Sequence, residues 1–248
     1  MTSPALIACS HGTRSAQGRA TVAAIRARLA EALPGVRVEE AYVDVEQPEV
    51  ADVVARLAAD GPAVLVPLLL ATGFHTKVDI ARAAAPFENV VVAEPMGPHD
   101  LLIEALLGRL ADLPEGDSGR RPGDHVVLAA AGSSDPAAAV ATRRMRALLE
   151  DELPVPVSVG YGAGASPSIP EAVAAARAAG ADRVIAASYV LAPGHFAGLV
   201  AAAGADQVTA PLGTHPAVID VLLERYVRAA ARPAAGRGAG QLSSAATA

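Results

Sequence analysis

The sequence predicts an α/β protein built from two homologous parallel-sheet βαβ domains, and three observations lead there. Apolar extended runs alternate with helical ones, a polar turn-forming stretch divides the chain near its middle, and the segments after that stretch repeat those before it in the same order. A chain of 248 residues, 52% of them hydrophobic, carries enough apolar surface for two compact halves.

The first strand is Ala5 to Cys9, followed by a helix from Gln17 to Leu33. Alanine is abundant throughout, so its periodicity counts for little and the larger aliphatics define the helices. Val36 to Tyr42 is the second strand, and Pro48 suits the first turn of a helix running to Asp60. Ala63 to Leu69 is the third strand; the run Val64 to Leu70 is apolar without alternation, as a strand covered on both faces should be. A helix near Lys77 to Ala84, a strand from Val90 to Ala93 and a helix from Asp100 to Leu110 complete the half. Strands separated by helices in this order pair in parallel.

After Leu113 the sequence PEGDSGRRPGD reads as a linker over residues 114–124. Beyond it VVLAAAGSSD answers LIACSHGTR, SIPEAV answers EQPEV, IAASYVLAPGHF answers VLVPLLLATGFH, and TAPLGTHP answers AEPMGPHD. Gly12 pairs with Gly132, Pro48 with Pro170, Gly73 with Gly194 and Gly97 with Gly213, which is the signature of duplication. The expected domains are residues 1–113 and 125–228, with an alanine-rich tail at 229–248 that lacks the apolar periodicity of an ordered element.

A net charge of −6, a pI near 5.5 and no basic block give nucleic acid or an anionic membrane surface nothing to hold. The lone Cys9 lies inside a strand, so no disulfide framework is expected, and a small buried thiol fits a reducing cytoplasm. The first strand begins within a few residues of Met1, leaving no room for a signal peptide. The longest apolar stretch, Ala63 to Ala71, falls well short of the ~20 residues of a spanning helix. Glycines after the strands come without GxGxxG or Walker spacing and read as tight turns, so no nucleotide is expected.

The duplication is unequal. His11, Asp44 and His75 all follow predicted strands of the first half, and their counterparts in the second are Ala131, Ala163 and Phe196. The carboxyl ends of parallel strands share one sheet edge, where open α/β folds bind their ligands. His195 is one position out of phase with His75 and can still face a shared cleft. His99 and His215 recur in both copies just before helices and read as helix-start residues, while His125 reads as surface. Two imidazoles and a carboxylate suit a borderline divalent metal, and an incomplete ligand set leaves positions open for exchange. An imidazole released from the metal can take a proton from a substrate N–H.

SHGTR with His11, AYVDVEQP with Asp44, PLLLATGFHTKVDI with His75 and the GPHD and GTHP pair together resemble the sirohydrochlorin chelatases, the ATP-independent class II tetrapyrrole chelatases, in their long two-half form. The resemblance implies insertion of Fe²⁺ or Co²⁺ into sirohydrochlorin, toward siroheme or cobalamin, in a cleft between the halves. It implies that His11 and His75 bind the metal and assist N–H deprotonation, and that Asp44, where the family commonly has glutamate, balances charge or relays protons. No cofactor is implied beyond the substrate metal. A macrocycle with eight carboxylates calls for cations at the rim. Lys77, the chain's single lysine, and Arg14 lie close to the two histidines and fit that need, with His195 as a further substrate contact. Two other functions share these residues. SHGT also resembles the RHG motif of histidine phosphatases, with Ser10 in the place of arginine, and a two-histidine site would serve a Co²⁺ or Ni²⁺ carrier that does no chemistry. Duplication within one chain would let a monomer do the work of a dimer of single domains.

Overall fold

The computed structural model describes residues 3–71, 73–114 and 121–232, and only the backbone of Phe74, His75 and Thr76. The first half runs β1 (Ala5–Ser10), α1 (Ala16–Ala32), β2 (Val38–Tyr42), α2 (Val50–Asp60), β3 (Ala63–Pro67), α3 (Phe74–Ala84), β4 (Val90–Val92) and α4 (Asp100–Ala111). The second runs β5 (Asp124–Ala130), α5 (Pro136–Glu152), β6 (Val157–Tyr161), α6 (Ile169–Ala178), β7 (Arg183–Tyr189), α7 (His195–Ala201), β8 (Gln207–Val208) and α8 (Pro216–Ala230). Each half holds a four-stranded sheet, ordered β2-β1-β3-β4 and β6-β5-β7-β8, and every pairing is parallel.

The apolar runs are unbroken because both sheet faces are buried. Successive side chains of a strand point to opposite faces. Leu6 and Ala8 of β1, with Val64 and Val66 of β3, enter one core, while Ile7, Cys9, Ala63 and Leu65 enter another with α2 and α3. The second sheet divides likewise: Val126, Leu128 and Ala130 face inward, and Val127 and Ala129 pack with α6 on the outer side.

The inner core is continuous between the halves, because they exchange their last helices. α8 packs on β3, β4 and α1 of the first half, and α4 packs on β7 and α5 of the second. Leu102 and Leu106 of α4 therefore share one cluster with Val218 and Leu222 of α8. An arginine on each exchanged helix ties it down. Arg225 of α8 donates from Nε to the Pro95 carbonyl at 2.9 Å and from Nη2 to the Met96 carbonyl at 3.1 Å. Arg109 of α4 donates from Nη2 to the Leu212 carbonyl at 2.8 Å, the matching position in the other copy.

Three readings of the sequence change here. The third helix begins at Phe74, not near Lys77: Gly73 is its N-cap, and the Lys77 amide donates to the Gly73 carbonyl at 2.9 Å. Apolar periodicity detects only the packed part of that helix, around Ile80, Ala83 and Ala84. Pro48 stands before α2, whose N-cap is Glu49, and its counterpart is Pro167, not Pro170. The Tyr42 amide donates to the Pro48 carbonyl at 3.0 Å just as the Tyr161 amide donates to that of Pro167 at 2.9 Å. Pro170 does lie in the first turn of α6, behind a Ser168–Glu171 capping box. Third, His125 is half-buried, with Nε2 2.9 Å from the Ser158 hydroxyl. His99 and His215 are N-caps, each accepting at Nδ1 from the amide two residues on, at 3.2 Å. Residues 115–120 and 233–248 of the expected linker and tail lie outside the described residues, while Asp124, expected in the linker, opens β5, and Ala229 and Ala230, expected in the tail, close α8.

Candidate functional site

In the order β2-β1-β3-β4 the chain leaves β1 toward one side and returns to β3 on the other. The connections diverge between β1 and β3, the position at which open parallel sheets bind their ligands. His11 is the residue immediately after β1 and is exposed. His75 is the second residue of α3, the helix that follows β3. Adjacent strand ends thus carry the two histidines to one edge of one sheet. Asp44 lies in the loop after β2, on the other side of β1.

That loop is fastened to the loop carrying His11. The Val43 amide donates to the Ser10 carbonyl at 3.0 Å, and the Asp44 amide to the His11 carbonyl at 2.9 Å. The Glu46 carboxylate accepts from the Thr13 amide at 2.8 Å. Gly12 has φ of 97°, and a Cβ there would lie 2.0 Å from the Asp44 carbonyl oxygen, so the close approach of the two loops requires glycine. Val45 adopts φ of 66°, a left-handed conformation unusual for a β-branched residue. The Asp44 carboxylate accepts from the Val45 amide at 2.7 Å and stabilises that turn. Asp44 itself is exposed.

Arg14 and Lys77 are both exposed, Arg14 beside His11 and Lys77 in the first turn of α3. Arg19 donates to the carbonyls of Thr13 and Arg14 at 3.3 and 3.2 Å, closing the loop from below. Cys9, one strand residue inward of Ser10, is a buried hydrophobe whose thiol desolvation pushes up to about 12. The Ser10 hydroxyl, buried beside it, has no hydrogen-bond partner among the described residues. No cluster of three or more His, Cys, Asp or Glu side chains occurs among the described residues, which leave out the His75 side chain.

The second sheet repeats the backbone and changes the chemistry. The Gly162 and Ala163 amides donate to the Ala130 and Ala131 carbonyls at 2.8 and 2.9 Å, and a Cβ on Gly132 would lie 2.0 Å from the Ala163 carbonyl oxygen. Where the first half has Val45 the second has Gly164, at φ of 70°. Phe196 stands in the His75 position, and its ring would lie 3.0 Å from a Cβ on Gly162. His195, the first residue of α7, is exposed and meets Phe196 edge-on at 5.2 Å.

The two carboxyl edges face each other. A Cβ on Gly73 would lie 3.2 Å from Ser133 Oγ, and one on Gly194 3.4 Å from Thr13 Oγ1. A Cβ on Gly18 of α1 would lie 2.5 Å from the Pro193 carbonyl oxygen. The first and third loops of each half therefore meet the third and first loops of the other, with His11 and α3 on one side and His195 and Phe196 across from them. Sequence reasoning missed Glu46 and the two arginines. Glu46 could have been found by the comparison that found the histidines, since its counterpart is Ala165.

Two duplicated parallel sheets, facing at their carboxyl edges, with His11 and His75 following strands of one half and His195 following a strand of the other, define a two-half chelatase-like α/β protein. A family model described as CbiX matches residues 5–113 and 125–229, and the chain belongs to the CbiX family. It is 26% identical over 196 residues to a sirohydrochlorin ferrochelatase of Priestia megaterium, covering 75% of this chain and 73% of the relative. A sirohydrochlorin cobaltochelatase of the same organism is 26% identical over 165 residues, which span 63% of this chain and about half, 54%, of that relative. Among solved structures, SirB from Bacillus subtilis with Fe³⁺ superposes with a TM-score of 0.74 at 22% identity, covering 92% of this chain and 96% of that one. The structure of CbiX, described as the terminal enzyme for biosynthesis of siroheme in denitrifying bacteria, gives 0.67 at 22% identity, covering 92% of this chain and all of that one. At such identities the likeness shows a shared fold. Among the described residues no helix is long and apolar enough to cross a membrane.

Proposed function

We propose that the chain is a sirohydrochlorin chelatase, inserting Fe²⁺ or Co²⁺ into the macrocycle with release of two protons, one from each of two pyrrolic N–H groups. The observation that supports this reading is that His11 directly follows β1 and His75 opens the helix after β3, on the two sides of the switch point of the first sheet, in a chain whose relatives are named as sirohydrochlorin chelatases. His11 and His75 receive the metal and pass it to the ring nitrogens, each freed imidazole being a base for a departing proton. Asp44 balances charge in the loop alongside. Arg14 and Lys77, exposed on the histidine side, and His195 across from them engage the macrocycle's carboxylates. The reaction needs no cofactor beyond the substrate metal, and the cytoplasm supplies the reducing setting that Fe²⁺ requires.

The test is anaerobic absorbance of sirohydrochlorin with Fe²⁺ or Co²⁺, comparing the protein and its His11→Ala and His75→Ala variants with the uncatalysed rate. Acceleration that both variants lose, by 100-fold or more, is the expected result. Binding of Co²⁺ with no acceleration by either metal would overturn the chelatase reading in favour of a metal carrier.

A further inference from the structure

We infer that Glu46 is a positioning residue for His11: its carboxylate locks the backbone of the His11 loop, and the metal-receiving geometry depends on that lock. The inference rests on the chelatase reading for its functional meaning and on the structure for its geometry. Three hydrogen bonds join the loop after β2 to the end of β1 and the loop that follows it. Two are backbone bonds, from Val43 to Ser10 and from Asp44 to His11, and the second sheet reproduces both. The third, from the Thr13 amide to the Glu46 carboxylate at 2.8 Å, is made by a side chain. Its counterpart in the second half is Ala165, which has no such oxygen to offer.

The clasp thus belongs to the half that carries the histidines. It falls two residues beyond His11, on the far side of Gly12, the residue whose left-handed backbone gives the loop its freedom. The Asp44 carboxylate is already engaged by the Val45 amide, so it does not make this link. Glu46 follows Val45 directly, and the Glu46 amide donates to the Asp44 carbonyl at 2.7 Å. Backbone and side chain of Glu46 together hold a left-handed valine where the second half uses glycine. Outer groups that orient a metal-binding imidazole commonly change metal affinity or activity by ~10–100-fold when removed.

The experiment uses the full chain and four variants: Glu46→Gln, Glu46→Ala, His11→Ala and the double variant His11→Ala/Glu46→Ala. Glutamine keeps an oxygen that accepts from the Thr13 amide and loses the charge; alanine loses both. Co²⁺ affinity is read by titration with the metal alone, and kcat and KM by anaerobic sirohydrochlorin turnover. Glu46→Gln is expected within about threefold of wild type in both. Glu46→Ala should lose ~10–100-fold in Co²⁺ affinity and in kcat. In the His11→Ala background the Glu46→Ala change should add less than twofold, since a residue acting through His11 has nothing left to position. Additive losses in the double variant, an unaffected Glu46→Ala, or a Glu46→Gln as impaired as Glu46→Ala would each overturn the positioning role. If wild type fails to accelerate insertion, the chelatase reading falls by itself, and the Co²⁺ titrations still decide the role of Glu46.

Discussion

Arg225→Ala should be among the most destabilising substitutions in the molecule, and more damaging than the equivalent change at Arg109. Arg225 is 7% exposed. It donates to the carbonyls of Pro95 and Met96 at 2.9 and 3.1 Å and lies 3.6 Å from a largely exposed Glu94 carboxylate. Truncation leaves two carbonyls without their charged donor, each costing about 1–3 kcal/mol when buried, and the exposed ion pair adds little. The sum is about 2–6 kcal/mol. Arg109 makes one such bond, to the Leu212 carbonyl at 2.8 Å, and its second partner is the exposed Asp112. Arg109→Ala should therefore cost about 1–3 kcal/mol. Urea unfolding followed by far-UV circular dichroism measures both. With a slope of about 3 kcal/mol/M, Arg225→Ala should lower the midpoint by roughly 0.7–2 M and Arg109→Ala by roughly half as much. Because α8 completes the first half's core, both halves should lose stability together in one transition. A loss under about 1 kcal/mol for Arg225→Ala, or two separated transitions with one half untouched, would refute the reasoning that the exchanged helices make the halves interdependent.

Glycine to alanine should have opposite signs at two helical positions. Gly198 in α7 has open space where a Cβ would stand, and Gly198→Ala should stabilise by about 0.5–1 kcal/mol through helix propensity. Gly18→Ala forces a Cβ to within 2.5 Å of the Pro193 carbonyl, and overpacking of about 1–3 kcal/mol should outweigh that gain and raise KM for the macrocycle; thermal unfolding and turnover check both, and a stabilised Gly18→Ala would contradict the facing of the two edges. Stability should also fall as pH drops below about 6.5. Burial pushes the His215 imidazole below its ordinary 6.5, with Arg109 adding to it, and burial does the same to His125. Both are held neutral by the fold, so their contribution is complete above about 6.5 and is lost as pH drops through the lowered folded-state values. His215→Asn with His125→Gln should flatten the pH dependence of the urea midpoint in that window; parallel curves would show that these histidines do not carry it.

The sequence alone determined the parallel sheets, the duplication and the inequality of its copies. Unbroken aliphatic runs such as Val64 to Leu70 report strands buried on both faces, because burial acts on each side chain individually. His11, Asp44 and His75 stand out as candidates for a related reason: a repeated backbone with changed polar groups marks the positions where the copies differ in chemistry. Other features depend on which segments meet. The apolar faces of α4 and α8 would serve either sheet, and hydropathy says nothing about which one they cover; only the packed chain shows the exchange and its two arginines. Local letters align Pro48 with Pro170, whereas the tyrosine amides fix Pro167 as its equivalent. Glu46 reads as one more surface acid until its oxygen is found against the Thr13 amide, 33 residues away in the chain. A hydrophobic pattern records how deeply each residue is buried, while a hydrogen bond between loops depends on two distant segments arriving at the same place, and that only the tertiary structure decides.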